Sequence, residues 1–164
     1  MKRFSALVIL AVILIGGCSV KSAEEYYGET NAETGLRVKI SINCENAVKY
    51  LKDNKRVNPD ILKDCEVGFK KGETVFDALK TACKENKIQF EYNGSSESVY
   101  IKGIDYLYEF DCGELSGWEY SVNGEFPSVG CNAVRLNDGD EIKWLYTCDL
   151  GADIGNVFKA TPHN

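Results

Sequence analysis

Between Ser116 and Cys148 the chain reads SGWEYSVNGEFPSVGCNAVRLNDGDEIKWLYTC. This stretch constrains the fold more than any other, because it joins two strand patterns to two turn signals. Trp118, Tyr120 and Val122 alternate with Glu119 and Ser121, the period of two that a half-buried strand shows. Asn123-Gly124 follows at once. Both residues tolerate positive φ, so the pair predicts a type I′ hairpin returning through Glu125-Phe126. Asn137-Asp138-Gly139-Asp140 predicts a second turn. From it Ile142, Trp144 and Tyr146 share one face, with Lys143 and Thr147 opposite. Leu145 interrupts the polar face, which predicts a strand covered on both sides.

The remaining elements follow from periodicity and punctuation. Val38, Ile40 and Ile42 predict a first strand. Asn43 is placed to cap a short helix carrying Ala47, Val48 and Leu51. Asn58-Pro59 marks a turn or a helix start within the polar run Asp53 to Asp64. Val67 and Phe69 predict a second short strand, turned at Lys71-Gly72. Thr74 with Asp77 is a capping-box-like pair. Val75, Leu79, Ala82 and Cys83 then fall at i, i+4, i+7 and i+8, one apolar stripe of a helix. Ile88, Phe90 and Tyr92 predict a strand ended by Asn93-Gly94-Ser95-Ser96, and Val99 and Ile101 another. Tyr106 to Phe110 is aromatic-rich. Strands dominate around one main helix, which is α+β.

The runs GETVFDALKTACKENKIQFEY, YIKGIDYLYEFDCGELSGWEYSVNGEFPSVGC and LNDGDEIKWLYTCDLG together resemble the transcobalamin-like C-terminal domain family. In bacteria that family is mostly a domain of unknown function. It is named for the small C-terminal domain of the cobalamin carriers transcobalamin and intrinsic factor. The resemblance covers residues 36–155. It implies a β-grasp-like mixed sheet with one helix packed across it, and a corrinoid as one candidate ligand. In those carriers the domain works together with a large helical domain.

The N-terminus carries a different signal. Met1-Lys2-Arg3 is basic, and Ala6 to Ile15 is an unbroken apolar run. The run is short of the roughly 20 residues a spanning helix needs and suits a secretory signal. Ile15-Gly16-Gly17-Cys18 is similar to the lipobox of bacterial lipoproteins, in which the cysteine becomes the acylated first residue. Residues 1–17 are therefore expected to be a signal peptide, Cys18 the lipid anchor and residues 18–35 an acidic tether. Residues 156–164 read as a tail. The expected location is extracytoplasmic, lipid-anchored to the bacterial cell envelope. Export would remove Lys2 and Arg3 from the 19 basic residues and leave all 25 acidic ones, a net charge of −8. An acidic chain without a basic patch argues against nucleic acid as a partner.

Six cysteines remain, Cys44, Cys65, Cys83, Cys112, Cys131 and Cys148. An even count in an exported chain predicts disulfides. Cys65 shares parity with Val67 and Phe69, and Cys83 lies on the helix stripe. A strand advancing ~13 Å and a helix returning ~12 Å bring the two together, so Cys65 is expected to pair with Cys83. In the β-grasp that the resemblance implies, first and last strands lie side by side and parallel, which pairs Cys44 with Cys148. That bond would contribute on the order of 4–5 kcal/mol in the chain-entropy model. Cys112 is left with Cys131 by elimination.

No close Cys or His pairs suggest zinc, and the only His is His163 in the tail. Asp138 and Asp140 are too few for calcium. There is no nucleophile elbow, metalloprotease helix motif or phosphate loop. Glu109, Asp111 and Glu114 are a local acidic cluster that reads as a solvated loop. No cofactor and no catalysis are expected. Aromatics are the remaining functional currency, since Trp and Tyr pair apolar area with a polar tip. Trp118, Tyr120, Phe126 and Pro127 are the candidate ligand contacts. Trp118 and Trp144 are expected in the core, and Phe126 is the best exposed contact. The expected function is a surface-anchored, non-enzymatic ligand-binding module. The alternative is an interaction domain for an envelope protein or polysaccharide.

Overall fold

A computed structural model describes residues 35–51, 58–95 and 98–156. The signal segment, Cys18, most of the tether and the end of the tail lie outside the described residues. Seven strands and two α-helices are described: β1 (Arg37–Asn43), α1 (Glu45–Val48), β2 (Asp60–Gly68), α2 (Val75–Asn86), β3 (Phe90–Gly94), β4 (Val99–Ile104), β5 (Leu107–Tyr108), β6 (Gly117–Val122) and β7 (Glu141–Thr147). A 3₁₀ turn spans Ala152–Ile154.

The α+β class holds, but the strands divide into two sheets. One has the order β2-β1-β7-β6 and the other β3-β4-β5. In the larger sheet β1 and β7 run parallel, with Ile42 beside Trp144, and the other pairs are antiparallel. The first and last strands are thus neighbours, as the resemblance implied. Val38, Ile40, Ile42, Ile142, Trp144 and Tyr146 are buried and alternate with more exposed residues, so the period of two translates directly into a core face. Leu145 is half-buried, a partial cover on the second face. Trp118 and Trp144 are core residues, 6% and 2% exposed.

Helix α2 lays Val75, Phe76, Ala78, Leu79, Ala82 and Cys83 into that core. Its first turn is closed by a capping box. The Asp77 amide donates to Thr74 Oγ1 at 3.4 Å, and the Thr74 amide donates to Asp77 Oδ2 at 2.9 Å. Burial opposes ionisation of Asp77, but hydrogen bonds from Lys80 and Thr74 outweigh it and hold the carboxyl below its usual value. The amides of Val75 and Phe76 donate to the carbonyls of Val134 and Cys131, at 3.1 and 3.2 Å. The loop before β7 therefore completes the helix start.

Three expectations are revised. β2 begins at Asp60, not near Val67, because pairing with β1 draws the polar residues into the ladder, and Asn43 Nδ2 bonds Asp60 Oδ1 at 2.8 Å. Asn43 stands one residue before the cap position of α1. Its side chain accepts from the Glu45 amide at 2.9 Å, and Cys44 occupies the cap position. The Asn123-Gly124 turn forms, with φ of 53° and 83°, but its return is one bridge, Val122 to Glu125. β6 pairs with β7 instead, and Pro127, which has no amide hydrogen, cannot extend the return. Within the aromatic run 106–110 lies the two-residue β5. There Tyr108 lies across Gly103 of β4, where a Cβ would come within 2.5 Å of the Tyr108 ring.

Candidate functional site

The four aromatic and proline candidates meet in one concavity of about 290 Å³. Val99, Tyr100 and Ile101 of β4 form one wall and Trp118, Glu119 and Tyr120 of β6 another. Phe126 to Cys131 close the third side, with Trp144 and Asn156 completing the lining. Phe126 and Pro127 are half-buried, while Tyr100 and Val129 at the rim are exposed.

Local hydrogen bonds hold this shape. Tyr120 Oη donates to the Val129 carbonyl at 2.8 Å, and the Val99 amide donates to Asn132 Oδ1 at 3.0 Å. The loop is therefore fastened to both strands it faces. The Tyr120 ring lies 5.3 Å from that of Trp144, and Trp118 meets Tyr146 edge to face at 5.2 Å. Trp118 Nε1 donates to the Leu107 carbonyl at 2.8 Å, which commits that ring to the core. Trp144 Nε1 is buried with no hydrogen-bond partner among the described residues. It is a donor in a residue that lines the concavity. Burial, then Cys131, pushes the Tyr120 hydroxyl up to about 12, so it stays a neutral donor. Glu119 brings the one carboxylate of the lining, accepting from Asn156 Nδ2 at 2.6 Å.

Two parts of this lining escaped the sequence reading. The Val99 and Ile101 wall read only as strand. Asn156 lies at the start of what read as a tail. The pattern could have yielded the first: Val99 and Ile101 share a parity, and both are buried.

The acidic cluster does not act as a unit. Asp111 Oδ2 accepts from the Tyr108 amide at 2.8 Å, whereas Glu109 hydrogen-bonds the Tyr100 hydroxyl. Burial first, and Glu109 second, push that hydroxyl up to about 12. Asp138 and Asp140 are turn anchors. Asp138 takes the Arg37 amide, while Asp140 takes the Asn137 amide and the Asn123 side chain, each at 2.8 Å. Among the described residues no cluster of His, Cys, Asp and Glu could hold a metal ion.

The structure holds the six cysteines as thiols. Cys65 Sγ lies 3.6 Å from Asn86 Nδ2, on the last turn of the helix that carries Cys83. Cys131 lines the concavity beside the start of α2. Cys112 and Cys148 lie near enough to interact through their side chains. Burial pushes Cys44 and Cys131 up to about 11 and Cys83 and Cys148 up to about 12.

Residues 72–147 match the model of a family described as a domain of unknown function, DUF4430. Among solved structures, the chain is similar to haptocorrin crystallised in complex with Cbi. The TM-score is 0.54 at 20% identity, over 70% of this chain and 25% of that one. This chain thus spans about a quarter of the haptocorrin chain, with which it shares a fold. A candidate metal-binding protein from Ruminococcus gnavus aligns at a TM-score of 0.43 and 12% identity, over 68% of this chain and 96% of that one. No curated protein matches.

Proposed function

We propose that this chain is a surface-anchored lipoprotein whose folded part is a non-enzymatic ligand-binding module, and that its concavity holds one face of a corrinoid or of another small, flat ligand. The observation that carries the reading is the convergence of Trp118, Tyr120, Phe126, Pro127 and Trp144 on one hollow. Rigid aromatic walls with few polar groups suit a ligand bound by area and oriented by one or two hydrogen bonds. Glu119, on the lining, is the group available for that orientation. Acylated Cys18 would hold the module at the membrane.

Size limits the affinity. A hollow of about 290 Å³ is at the small end of ligand pockets, which run roughly 300–1,000 Å³. It would grip an edge of a corrinoid and leave the rest in water, so dissociation constants are expected to be micromolar or weaker. The test is titration of the full chain with cobinamide and cobalamin, read by tryptophan fluorescence and the corrinoid visible spectrum. Saturable quenching, weakened about tenfold by Phe126→Ala, is expected, since one truncated contact typically costs 1–2 kcal/mol. No spectral change and no thermal shift would remove the corrinoid reading. The anchor is tested separately: Cys18→Ser should release the protein from the membrane fraction.

A second reading rests on another surface. Tyr106, Phe110, Leu115 and Leu150 are all exposed, and this favours a contact with an envelope protein or a polysaccharide. Capture of one stoichiometric partner, lost on Phe110→Ala and kept on Phe126→Ala, would favour it over the first.

A further inference from the structure

We infer that Cys112 and Cys148 form a disulfide that clips the loop after β5 to the end of β7. This pairing displaces two of the expected ones, Cys44 with Cys148 and Cys112 with Cys131.

The two thiols interact through their side chains, and the backbone around them is laid together independently. The Cys112 amide donates to Ser116 Oγ at 3.1 Å, and the Tyr146 hydroxyl lies 3.1 Å from the same oxygen. Tyr146 Oη also donates to the Tyr108 carbonyl at 2.6 Å. The Leu150 amide donates to the Leu115 carbonyl at 3.0 Å. Residues 108–116 and 146–150 are therefore laced on both sides of the thiols. Bond formation would join two segments that are already held together.

Placement favours Cys112 with Cys148 over the other pairs. The parallel register sets Asn43 beside Leu145, so Cys44 continues opposite Tyr146, and Cys148 lies two residues further on. Cys44 Sγ is directed to the Asn58 carbonyl at 3.6 Å, and Cys148 Sγ to Cys112 and to the Asn46 carbonyl at 3.5 Å. Cys131 sits at the start of α2 and lines the concavity.

The oxidant is a small external disulfide. Cys148 is half-buried and Cys112 buried, so the Cys148 thiolate is the accessible nucleophile. It attacks one sulfur of the external disulfide, breaking that bond and expelling one thiolate. The Cys112 thiolate then attacks the Cys148 sulfur of the mixed disulfide and expels the second. Two electrons pass to the external disulfide, and the two thiol protons leave with its reduced halves.

The experiment maps the full chain after incubation with oxidised glutathione, alkylation and digestion by trypsin with Glu-C. These proteases place Cys112 on residues 110–114, Cys131 on 126–135 and Cys148 on 144–159. The expected product joins 110–114 to 144–159. A link from Cys44 to Cys148, a link from Cys112 to Cys131, or both Cys112 and Cys148 alkylated overturns the proposal. Reduction should lower the melting temperature of the oxidised protein by about 10 °C. That part of the shift should vanish in Cys148→Ser, and its persistence there would equally overturn the assignment. The mapping uses the wild-type chain, so it stands even where the variant does not fold.

Discussion

The β6–β7 pair has two ends that solve the same problem differently. At one end, Asn123-Gly124 and Asn137 to Asp140 turn the chain with residues suited to positive φ, and their polar groups bond one another. The Asn123 side chain takes the Glu141 amide at 2.9 Å and gives to Asp140 at 2.8 Å. At the other end, Asp105, Tyr106, Phe110 and Leu150 all hold positive φ. Three of those four are bulky, and all three are exposed. Left-handed backbone costs an L-residue roughly 1–2 kcal/mol. The first end is satisfied locally, whereas the second is held by what it packs against. Such strain tends to collect where a surface is used.

The largest contrast is expected at alkaline pH. Burial raises the thiols of Cys44, Cys131, Cys83 and Cys148 to about 11 or 12 from an ordinary value of 9.0, and raises the Tyr146 hydroxyl as well. The folded chain keeps protons that the unfolded chain would release. Stability from these groups is full below about pH 9 and is lost as pH rises toward 12. Two of the groups, Cys148 and Tyr146, belong to the loop end. The reduced protein should lose melting temperature steeply above pH 9, and the oxidised protein less so, because the disulfide removes two thiols from the titration. Parallel loss in both forms would show that the loop end is not the alkaline weak point.

Next in size is the removal of the anchoring carboxylates. Asp140 is 6% exposed and accepts two hydrogen bonds at 2.8 Å and a longer one at 3.5 Å, the short ones each worth roughly 1.5–3 kcal/mol to a charged group. Asp140→Ala should cost about 3 kcal/mol in urea unfolding. Asp111 is exposed and accepts the Tyr108 amide, so Asp111→Ala should cost about 1 kcal/mol or less. Equal costs would erase the distinction between the ends.

This contrast also explains what the sequence showed and what it hid. The satisfied end was legible because Asn-Gly and Asp-Gly act locally, through φ and through side chains that reach their own backbone. Helix α2 was legible for the same reason, in Thr74, Asp77 and an unbroken apolar stripe. The division into two sheets was not, since Phe90 and Val99 alternate as they would in a single sheet, and only long-range pairing separates them. At the site, Trp118, Tyr120, Phe126 and Pro127 were recognisable as aromatic or stiff. Asn156 reaches Glu119 across 37 positions, beyond any local pattern. Cys112 and Cys148 could not be matched by parity, because Cys112 lies in a loop where parity has no meaning.

A smaller effect compares one substitution type at each end. Gly124 has φ of 83°, and a Cβ there would meet nothing within 4 Å. Gly124→Ala should therefore cost only the backbone term, about 1–2 kcal/mol. Phe110 is the mirror case. Its φ is 69° and its side chain is 61% exposed, so Phe110→Gly forfeits little burial and releases the left-handed strain. Glycine's added unfolded-state entropy takes back about 0.5–1 kcal/mol. The net expectation is a gain of about 0.5 kcal/mol, seen as a small rise in urea midpoint at unchanged slope. A residue that stabilises the fold when deleted is held there for something other than the fold. If Phe110→Gly is instead destabilising by more than 1 kcal/mol, Phe110 is a packing residue, and the loop end loses its claim to be a display surface.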